Sequence, residues 1–477
     1  MTSPAASTAP PPDAGPAAER TARRRQHRAW YVYDWANSAY VTTTSTVLLG
    51  PYLTAVARAD ACPDLAEGAQ CGTDLQLFGV LPVSPGSLVF YAVTLSTIVS
   101  ALVLPIVGAV ADRSRHQRQL LGAFAWTGAA AAASMFFVTG SNWQLGVALL
   151  MVANTALGSS LVVYDAILCQ IATPDERDGV SSRGWALGYL GGFLLLAANL
   201  ALVTLHEAIG LSEAEAVRVS LLSAGVWWGV FTLVPVLGLR NRVPVDPVPV
   251  DGEDTAAAPR VTLLRGSFTQ LADTLRHLRG YRETWKFLLA YLLFNDGIQT
   301  VIGASSVYGA EQLGLPTQSL IATILVVQLV AFFGALLFGR LAGRFGAQRM
   351  VLAGLVLWTV VVVVGFFLPA GAFVPFVSLA VLIGLVLGGT QALSRSLYSQ
   401  LVPFGREAEY FSLYQAAERG TSWFGTFLFG LVFQLTDSYR PAIISLVVFF
   451  VLGGLLLSRV RVREGVLAAG NTPPAVL

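Results

Sequence analysis

Apolar segments of about 20 residues recur along almost the whole of this chain. About 20 apolar residues in an α-helix cross the ~30 Å hydrocarbon core of a bilayer, where each backbone polar group must be bonded within its own segment. Such runs therefore predict a chain that crosses a membrane many times. The clearest are Leu88–Ala111, Gln119–Thr139, Trp143–Asp165, Trp185–Leu205, Val217–Leu239, Leu320–Leu341, Val351–Leu368, Phe373–Leu393 and Pro441–Leu457.

Three further segments are richer in hydroxyl and amide groups: Trp30–Val56, Trp285–Tyr308 and Phe411–Leu435. Together with the nine clear ones they predict an all-α membrane protein with twelve transmembrane helices. Only 12% of the residues are charged, against roughly 25% in soluble domains, so a lipid-facing surface is expected. The lengths exclude a membrane barrel, whose strands need only about ten residues.

Basic residues concentrate in alternate connections between these segments. They form the groups Arg20 to Arg28, Arg113 to Arg118, Arg177 and Arg183, Arg240 to Lys286, Arg340 to Arg349, Arg406, and Arg459 to Arg463. The intervening connections hold only Arg58, Arg218 and Arg440. Because basic connections stay on the cytoplasmic side, both termini are predicted to be cytoplasmic, as an even number of spans requires.

The composition also predicts five regions. Residues 1–28, rich in Pro and Ala, are expected to be a disordered cytoplasmic tail. Residues 29–239 and 284–459 are expected to form six-helix bundles, joined by the basic cytoplasmic linker 240–283 and followed by a cytoplasmic tail, 460–477. The preference for Arg over Lys and the abundant Ala indicate a GC-rich bacterial genome and hence a plasma membrane.

The two bundles resemble each other in sequence. In the first helix Asp34 is followed by Asn37 and Ser38, and in the seventh Asp296 is followed by Gln299 and Thr300, offsets that place each trio on one helix face. The stretch 158–170 also matches 388–400 without a gap, and Gly108 precedes a basic loop as Gly339 does. Three matches in the same order predict two pseudo-symmetric halves, the architecture of major facilitator transporters.

The loop residues Gly108, Asp112, Arg113 and Arg115 resemble the signature of the major facilitator superfamily, although the second copy has Gly343 where an acid is usual. Longer motifs resemble the vacuole-effluxer-like permease family; they are Tyr33–Tyr40, Ser181–Gly192, Asp296–Thr300 and Gln391–Ser396. This resemblance implies a transporter that lacks cofactors, and fungal members of the family are associated with amino-acid export from the vacuole.

Ionisable groups inside a helix bundle are costly and mark candidate functional sites. Those expected to bind substrate or carry protons, with their polar neighbours, are Asp34, Asn37, Ser38, Asp296, Gln299, Thr300, Gln391, Arg395 and Glu418. Structural ion pairs are the alternative for the two aspartates. Because Glu418 and Arg419 are adjacent, at most one of them faces a central cavity squarely.

Asp165 and Arg395 occupy equivalent repeat positions with opposite charges, so we expect them to pair across the halves as a gate. The alternatives are that Asp165 pairs with Arg183, or that Arg395 holds a ligand carboxylate. Conformational control is also expected of Asp112, Arg113 and Arg115 at the cytoplasmic surface, with a solvated turn as the alternative. Arg183 and Arg344 are expected to belong to the same gate.

The sequence shows no phosphate-binding loop, metal-ligand spacing or nucleophile–base set, and an enzyme, a cofactor and a nucleic-acid partner are not expected. Cys62 and Cys71 in the first external loop are candidates for a disulfide. The interpretation is a monomeric secondary transporter of a small polar metabolite, such as an amino acid, working by alternating access with proton coupling. The alternatives are an uncoupled facilitator and a non-transporting receptor or scaffold with the same fold.

Overall fold

A computed structural model describes residues 16–63, 73–77, 81–241, 280–420 and 422–477. The first half opens with a continuous helical segment and a short antiparallel hairpin. Its elements are α1 (Pro16–Tyr40), a π-helix (Val41–Leu48), α2 (Leu49–Ala61), β1 (Leu75–Leu77), β2 (Leu81–Val83), α3 (Leu88–Arg113), α4 (Gln117–Ser134), α5 (Trp143–Ile171), α6 (Arg177–Thr204), α7 (Glu213–Phe231) and α8 (Leu233–Gly238). Leu75 of β1 pairs with Val83 of β2.

Every described element of the second half is a helix. Its elements are α9 (Arg282–Val307), a π-helix (Tyr308–Gln312), α10 (Thr317–Phe345), α11 (Ala347–Phe366), α12 (Phe373–Leu401), α13 (Glu407–Gly420), α14 (Ser422–Thr436), α15 (Tyr439–Ser445), α16 (Val447–Ser458) and α17 (Val462–Ala468). Single residues set some of the turns. Gly346 joins α10 to α11 at a φ of +86°, a conformation that glycine adopts without a steric penalty.

Ten helical segments of the described residues are long and apolar enough to cross a membrane. They match the nine clear apolar segments and the weaker Trp285–Tyr308. The other two weaker segments are also helical, since α1 to α2 covers Trp30–Val56 and α13 to α14 covers Phe411–Leu435. Their polar residues exclude these two segments from the ten that are apolar enough to cross a membrane. The total of twelve spans therefore stays a prediction.

The two halves pack against each other through equivalent pairs of helices. In the first pair α3 packs against α13, and in the second α6 packs against α10. Gly108 lies so close to α13 that a Cβ there would be 2.7 Å from the backbone O of Ala408. A Cβ on Gly339, its counterpart in the repeat, would be 2.5 Å from Cβ of Ser182. Both contacts depend on glycine because no side chain fits between the helices.

The halves meet at the end of the molecule that holds the α3–α4, α5–α6 and α12–α13 connections, which we call the basic end. Nη1 of Arg177 donates to O of Ser399 (2.6 Å), and Nε2 of Gln400 donates to O of Pro174 (2.8 Å). The chain after α17 also reaches both halves, because Asn471 donates to O of Val402 (2.7 Å) and the N–H of Ala475 to Oδ1 of Asp175 (2.7 Å).

The structure differs from the predicted tails and does not describe most of the predicted linker. Residues 16–28 belong to α1, so the expected disorder is wrong for that stretch; its Ala, Glu and Arg residues favour helix and extend the first span. Most of the expected linker, residues 242–279, lies outside the described residues. The expected tail 460–477 contains α17, in which Val462 and Val466 are buried against the bundle.

The contact between α3 and α13 gives a first prediction. Gly108→Leu should separate the halves at the basic end, because overpacking a tight contact costs about 1–3 kcal/mol, equivalent to about a fivefold to hundredfold shift in the equilibrium. The thiol of Cys169, whose Sγ lies 3.7 Å from O of Ser399 in the other half, should then react faster with N-ethylmaleimide. Mass spectrometry of the Cys169 peptide measures the rate.

Gly343→Leu is the matched control, since a Cβ at Gly343 meets no atom within 4 Å. Its labelling rate should equal that of the wild type. Equal labelling of all three proteins would contradict the role of Gly108.

Candidate functional site

A cavity of about 1490 Å³ lies between the two halves. Its floor, toward the basic end, includes Asp34, Asp165 and Arg395, and its walls extend to Gly50 and Ser306 toward the opposite end. The charged groups are concentrated at the floor, whereas the upper walls combine apolar side chains with hydroxyl groups such as those of Thr46, Thr94 and Ser305. The volume exceeds the range of about 300–1,000 Å³ that is typical of small-molecule sites.

Arg395 on α12 is 2% exposed, and all five N–H groups of its guanidinium have acceptors. Nη2 donates to Oδ2 of Asp34 (2.9 Å) and to O of Ser181 (3.1 Å), and Nη1 donates to Oδ1 of Asp34 and Oδ1 of Asp165 (both 3.4 Å). Nε donates to Oγ of Ser181 (3.0 Å). Every acceptor belongs to the first half, so Arg395 joins the halves through its entire donor set.

Aromatic rings enclose the same guanidinium. The ring centroids of Trp30, Trp185 and Tyr164 lie 4.8, 5.3 and 5.4 Å from its central carbon. Cation–π contacts strengthen when water is excluded. Trp30 and Tyr164 also stack on each other at 4.2 Å, which holds α1 against α5. Trp30 and Trp185 therefore both contact a buried cation.

A second group of polar side chains lies beside this ion pair. Nε2 of Gln415 donates to Oδ2 of Asp165 (2.9 Å) and to Oε2 of Glu418 (3.3 Å), so one amide links two carboxylates. We call Asp165, Gln415 and Glu418 the carboxylate bridge. Arg419 donates from Nε to Oε1 of Gln415 (3.5 Å), which orients the amide with its N–H groups toward the acids. Both Glu418 and Arg419 line the cavity.

Asp296 lies elsewhere, outside the residues that line the cavity. It is buried between α9 and α14, where its Oδ2 accepts from the backbone N–H of Gly425 (2.8 Å). Its Oδ1 has no hydrogen-bond partner. Asp296 therefore does not share the cavity with Asp34, because the helix phase that turns Gln299 into the cavity turns Asp296 toward α14.

The remaining residues of the expected binding set divide in the same way. Asn37, Ser38, Gln299 and Gln391 line the cavity, and Thr300 does not. Nδ2 of Asn37 donates to O of Tyr33 (2.7 Å), and Nε2 of Gln391 donates to Oδ1 of Asn295 (2.9 Å).

Of the expected gating residues, Asp112 makes contact between the halves. Its Oδ1 accepts from the N–H of Ala408 (2.9 Å) and its Oδ2 from the N–H of Glu409 (2.8 Å), so it caps the N-terminus of α13. The arginines of that set are exposed; they are Arg113, Arg115, Arg183 and Arg344. Asp165 pairs with Arg395 rather than with Arg183. Cys62 follows α2, whereas Cys71 lies outside the described residues, and their disulfide stays a prediction.

Arg177 is a further buried arginine at the basic end that the sequence did not single out. It donates to the backbone O of Ser399 and Cys169 and to Oε1 of Gln400. Its neighbour Asp178 accepts from Oγ of Ser396 across the halves. The repeat continues past residue 170 if the second copy is shifted by one residue, and this longer alignment identifies Arg177. Pro174, Arg177 and Asp178 then match Pro403, Arg406 and Glu407.

Known proteins resemble this chain along most of its length. The family model described as "Vacuole effluxer Atg22 like" matches residues 22–470. The chain belongs to the Atg22-like vacuole effluxer family. It is 30% identical to the MFS-type transporter YxiO of Bacillus subtilis over 91% of this chain and 94% of that protein. It is also 27% identical to autophagy-related protein 22-1 of Phaeosphaeria nodorum, over 92% and 91% of the two chains.

Solved structures establish the fold of this Atg22-like protein. The proton:xylose symporter XylE superimposes with a TM-score of 0.65 at 11% identity, over 92% of this chain and 96% of that one. An outward-facing bacterial homologue of the iron transporter ferroportin gives a TM-score of 0.62 at 14% identity, over 92% and 98%. The chain has the major facilitator fold of an integral membrane transporter.

The saturated guanidinium gives the second prediction. Arg395→Leu should lower the free energy of unfolding by about 3–5 kcal/mol, because it leaves two buried carboxylates without their cation. The measurement is the unfolding midpoint of the purified protein in detergent. Arg395→Lys should fall between Arg395→Leu and the wild type, since an ammonium has three donors in place of five.

Arg344→Leu removes an exposed arginine from α10 and should leave the midpoint near that of the wild type. A loss at Arg395 no larger than the loss at Arg344 would show that the ion pair does not hold the halves together.

Proposed function

We propose that this Atg22-like protein is a secondary active transporter that moves a small polar metabolite by alternating access and couples the movement to protons. Amino acids and related zwitterions are the first candidates, because the cavity floor presents charges of both signs. The family assignment supports transport as such, and the substrate and the coupling are proposed from the residues.

The observation that carries the proposal is the ionic contact of Arg395, which forms the cavity floor and also joins the halves. Arg395 in the second half is bound by Asp34 and Asp165 in the first. Separation of the halves at the basic end would remove every acceptor from Arg395 and expose the charged floor to that side. An ion pair that is either complete or fully separated provides the two-state element that alternating access requires.

Proton carriage is assigned to Asp296. Its carboxylate has no basic partner within salt-bridge distance among the described residues, and one oxygen has no hydrogen-bond donor. An unpaired charge in a bundle is costly, and a bound proton removes that cost. Since Asp296 lies outside the cavity, it would respond to movement of α14 against α9 rather than to the substrate directly.

A receptor or scaffold that kept the fold fits less well. A cavity without transport should be filled by bulky apolar side chains, whereas Asp34 and Arg395 reach the floor of an open space. An uncoupled facilitator would keep this cavity but would need no isolated carboxylate. The proton-gradient experiment below separates the facilitator from the coupled transporter.

We also propose residence in a bacterial plasma membrane with both termini in the cytoplasm. The basic end carries the arginine-rich connections and, through Arg23 and Asn471, both described ends of the chain. In that orientation the cavity extends toward the outside.

The third prediction tests coupling. A thermal-shift screen of amino acids, amines and sugars first supplies a ligand, which at 100 times its Kd stabilises the protein by about 2.7 kcal/mol. In proteoliposomes an imposed pH gradient should then drive wild-type accumulation of that ligand, by up to about tenfold per pH unit for one coupled proton. Asp296→Asn should equilibrate the ligand without accumulating it, because the amide cannot exchange a proton.

Glu311→Gln, which neutralises an exposed acid beyond α9, should retain accumulation. Ligand movement that ignores the pH gradient in the wild type and in Asp296→Asn alike would replace the coupled transporter with a facilitator.

A further inference from the structure

Two arginines line the cavity, and they differ in how many of their donors are already bound. Arg395 has acceptors for all five of its N–H groups. Arg419 on α13 is half-buried and also lines the cavity, but only its Nε donates, over a long distance of 3.5 Å, to Oε1 of Gln415. Its Nη1 and Nη2 have no acceptor and no carboxylate within salt-bridge distance among the described residues. Four N–H groups of Arg419 are therefore available to a ligand.

The two nearby acids of the carboxylate bridge are held by other groups. Oε2 of Glu418 and Oδ2 of Asp165 both accept from Nε2 of Gln415 (3.3 and 2.9 Å), and Oδ1 of Asp165 accepts from Arg395. Gln415 thus lies between the acids and Arg419, with its amide nitrogen toward the acids and its carbonyl oxygen toward the guanidinium. A ligand anion at Arg419 would not have to displace an acid of the protein.

A glycine on α5 gives this guanidinium room beside the first half. A Cβ on Gly158 would be 3.5 Å from Nε of Arg419 and 3.1 Å from Cδ2 of Leu104. A longer side chain there would meet the guanidinium, because packed helices leave little spare volume. Arg419 therefore extends from the second half to the wall that α5 of the first half forms.

Asn154 supplies a further donor on that wall. It lies one helical turn before Gly158, about 6 Å along the axis of α5, and lines the cavity. Its Oδ1 accepts from the hydroxyl of Tyr40 (3.1 Å). Its Nδ2 has no acceptor in the described part of the chain, so this N–H₂ group is left for a ligand beside Arg419.

The donor set of Arg419 matches one kind of ligand group. Two parallel N–H groups of a guanidinium fit the two oxygens of a carboxylate, and hydrogen bonds between ions are stronger than those between neutral groups. The sequence left open whether Arg395 holds a ligand carboxylate. With its donors all bound in this conformation, that role passes to the second arginine of the cavity.

We propose that Arg419 binds the carboxylate of the transported metabolite, with the amide of Asn154 as a second donor. This inference rests on the proposed transport function and narrows its substrate to small molecules that carry a carboxylate. Arg395 keeps its acceptors, so substrate binding and closure of the floor use different arginines. Proton carriage stays with Asp296. Because Arg419 and Asn154 belong to different halves, the bound substrate contacts both.

Three probes with one skeleton test the inference on the purified full chain: 3-phenylpropanoate, phenylalanine and 2-phenylethylamine. They present a carboxylate alone, both charges, and an ammonium group alone. Each of the two carboxylates should bind about tenfold or more tightly than the amine, because only they reach the guanidinium with a charge-assisted pair of hydrogen bonds. Calorimetry measures the three Kd values. Equal or tighter binding of the amine, or binding of no member of the series, would overturn the carboxylate site.

Substitution of Arg419 assigns the preference to this residue. Arg419→Gln should weaken binding of 3-phenylpropanoate about tenfold to a hundredfold and should not weaken binding of the amine. Arg419→Lys should recover part of the loss, since an ammonium keeps the charge without the planar fork. Arg58→Gln removes an exposed arginine of α2 and should behave as the wild type. Phenylpropanoate binding that is the same in Arg419→Gln as in the wild type would contradict the role of Arg419.

Chemical modification of the wild type examines the same guanidinium without a substitution. Phenylglyoxal reacts with accessible guanidinium groups, so it should modify Arg419 faster than Arg395, and 3-phenylpropanoate should slow the reaction at Arg419. Mass spectrometry of the two peptides measures both rates. Modification of Arg419 no faster than that of Arg395, or no protection by the ligand, would also overturn the site.

Transport of the three probes in proteoliposomes separates this inference from the proposed function. Movement of the amine without either carboxylate keeps the transporter and removes the carboxylate site. Binding of phenylpropanoate that depends on Arg419, without movement of any probe, keeps the site and removes transport.

Discussion

A guanidinium buried between two helical bundles keeps its charge only if nearly all of its donors are satisfied. Arg395 meets this condition with acceptors from one half alone, on α1, α5 and α6. The cavity floor, the closure of the basic end and the arrangement of Trp30 and Tyr164 all follow from that contact. Since the acceptors sit together on the opposite half, they would be lost together, which makes an intermediate opening unfavourable.

The helical membrane architecture could be predicted because the length of an apolar segment can be read directly from the local sequence. The repeated motifs predicted two halves, and the fold and the family agree with that prediction. The orientation that the basic connections indicate stays a prediction. Weak segments were harder to judge. The weak segments that became α1 and α13 carry Asp34 and Glu418, and the same charged groups lower their hydropathy and form the site.

Side-chain partners depend on packing that no local pattern contains. Arg395 was expected to meet Asp165, but its shortest carboxylate contact is with Asp34, which is 361 positions away in the chain. Asp296 shows the limit of the repeat argument. Its motif matches that of Asp34, yet Asp296 lies against α14, where Gly425 leaves space for a carboxylate. Gln415 carries no formal charge and was overlooked, although it links the two acids.

The internal repeat also bears on how such a floor could arise. Residues 165 and 395 occupy the same position in the matched stretches, and one is an acid and the other a base. Two identical subunits arranged with this symmetry would oppose aspartate with aspartate or arginine with arginine, and like charges at such a distance repel. The ionic lock is therefore available only to a fused molecule whose copies have diverged. Its ancestor, if a symmetric dimer, must have held its halves together by other contacts, such as the paired glycines of α3 and α10.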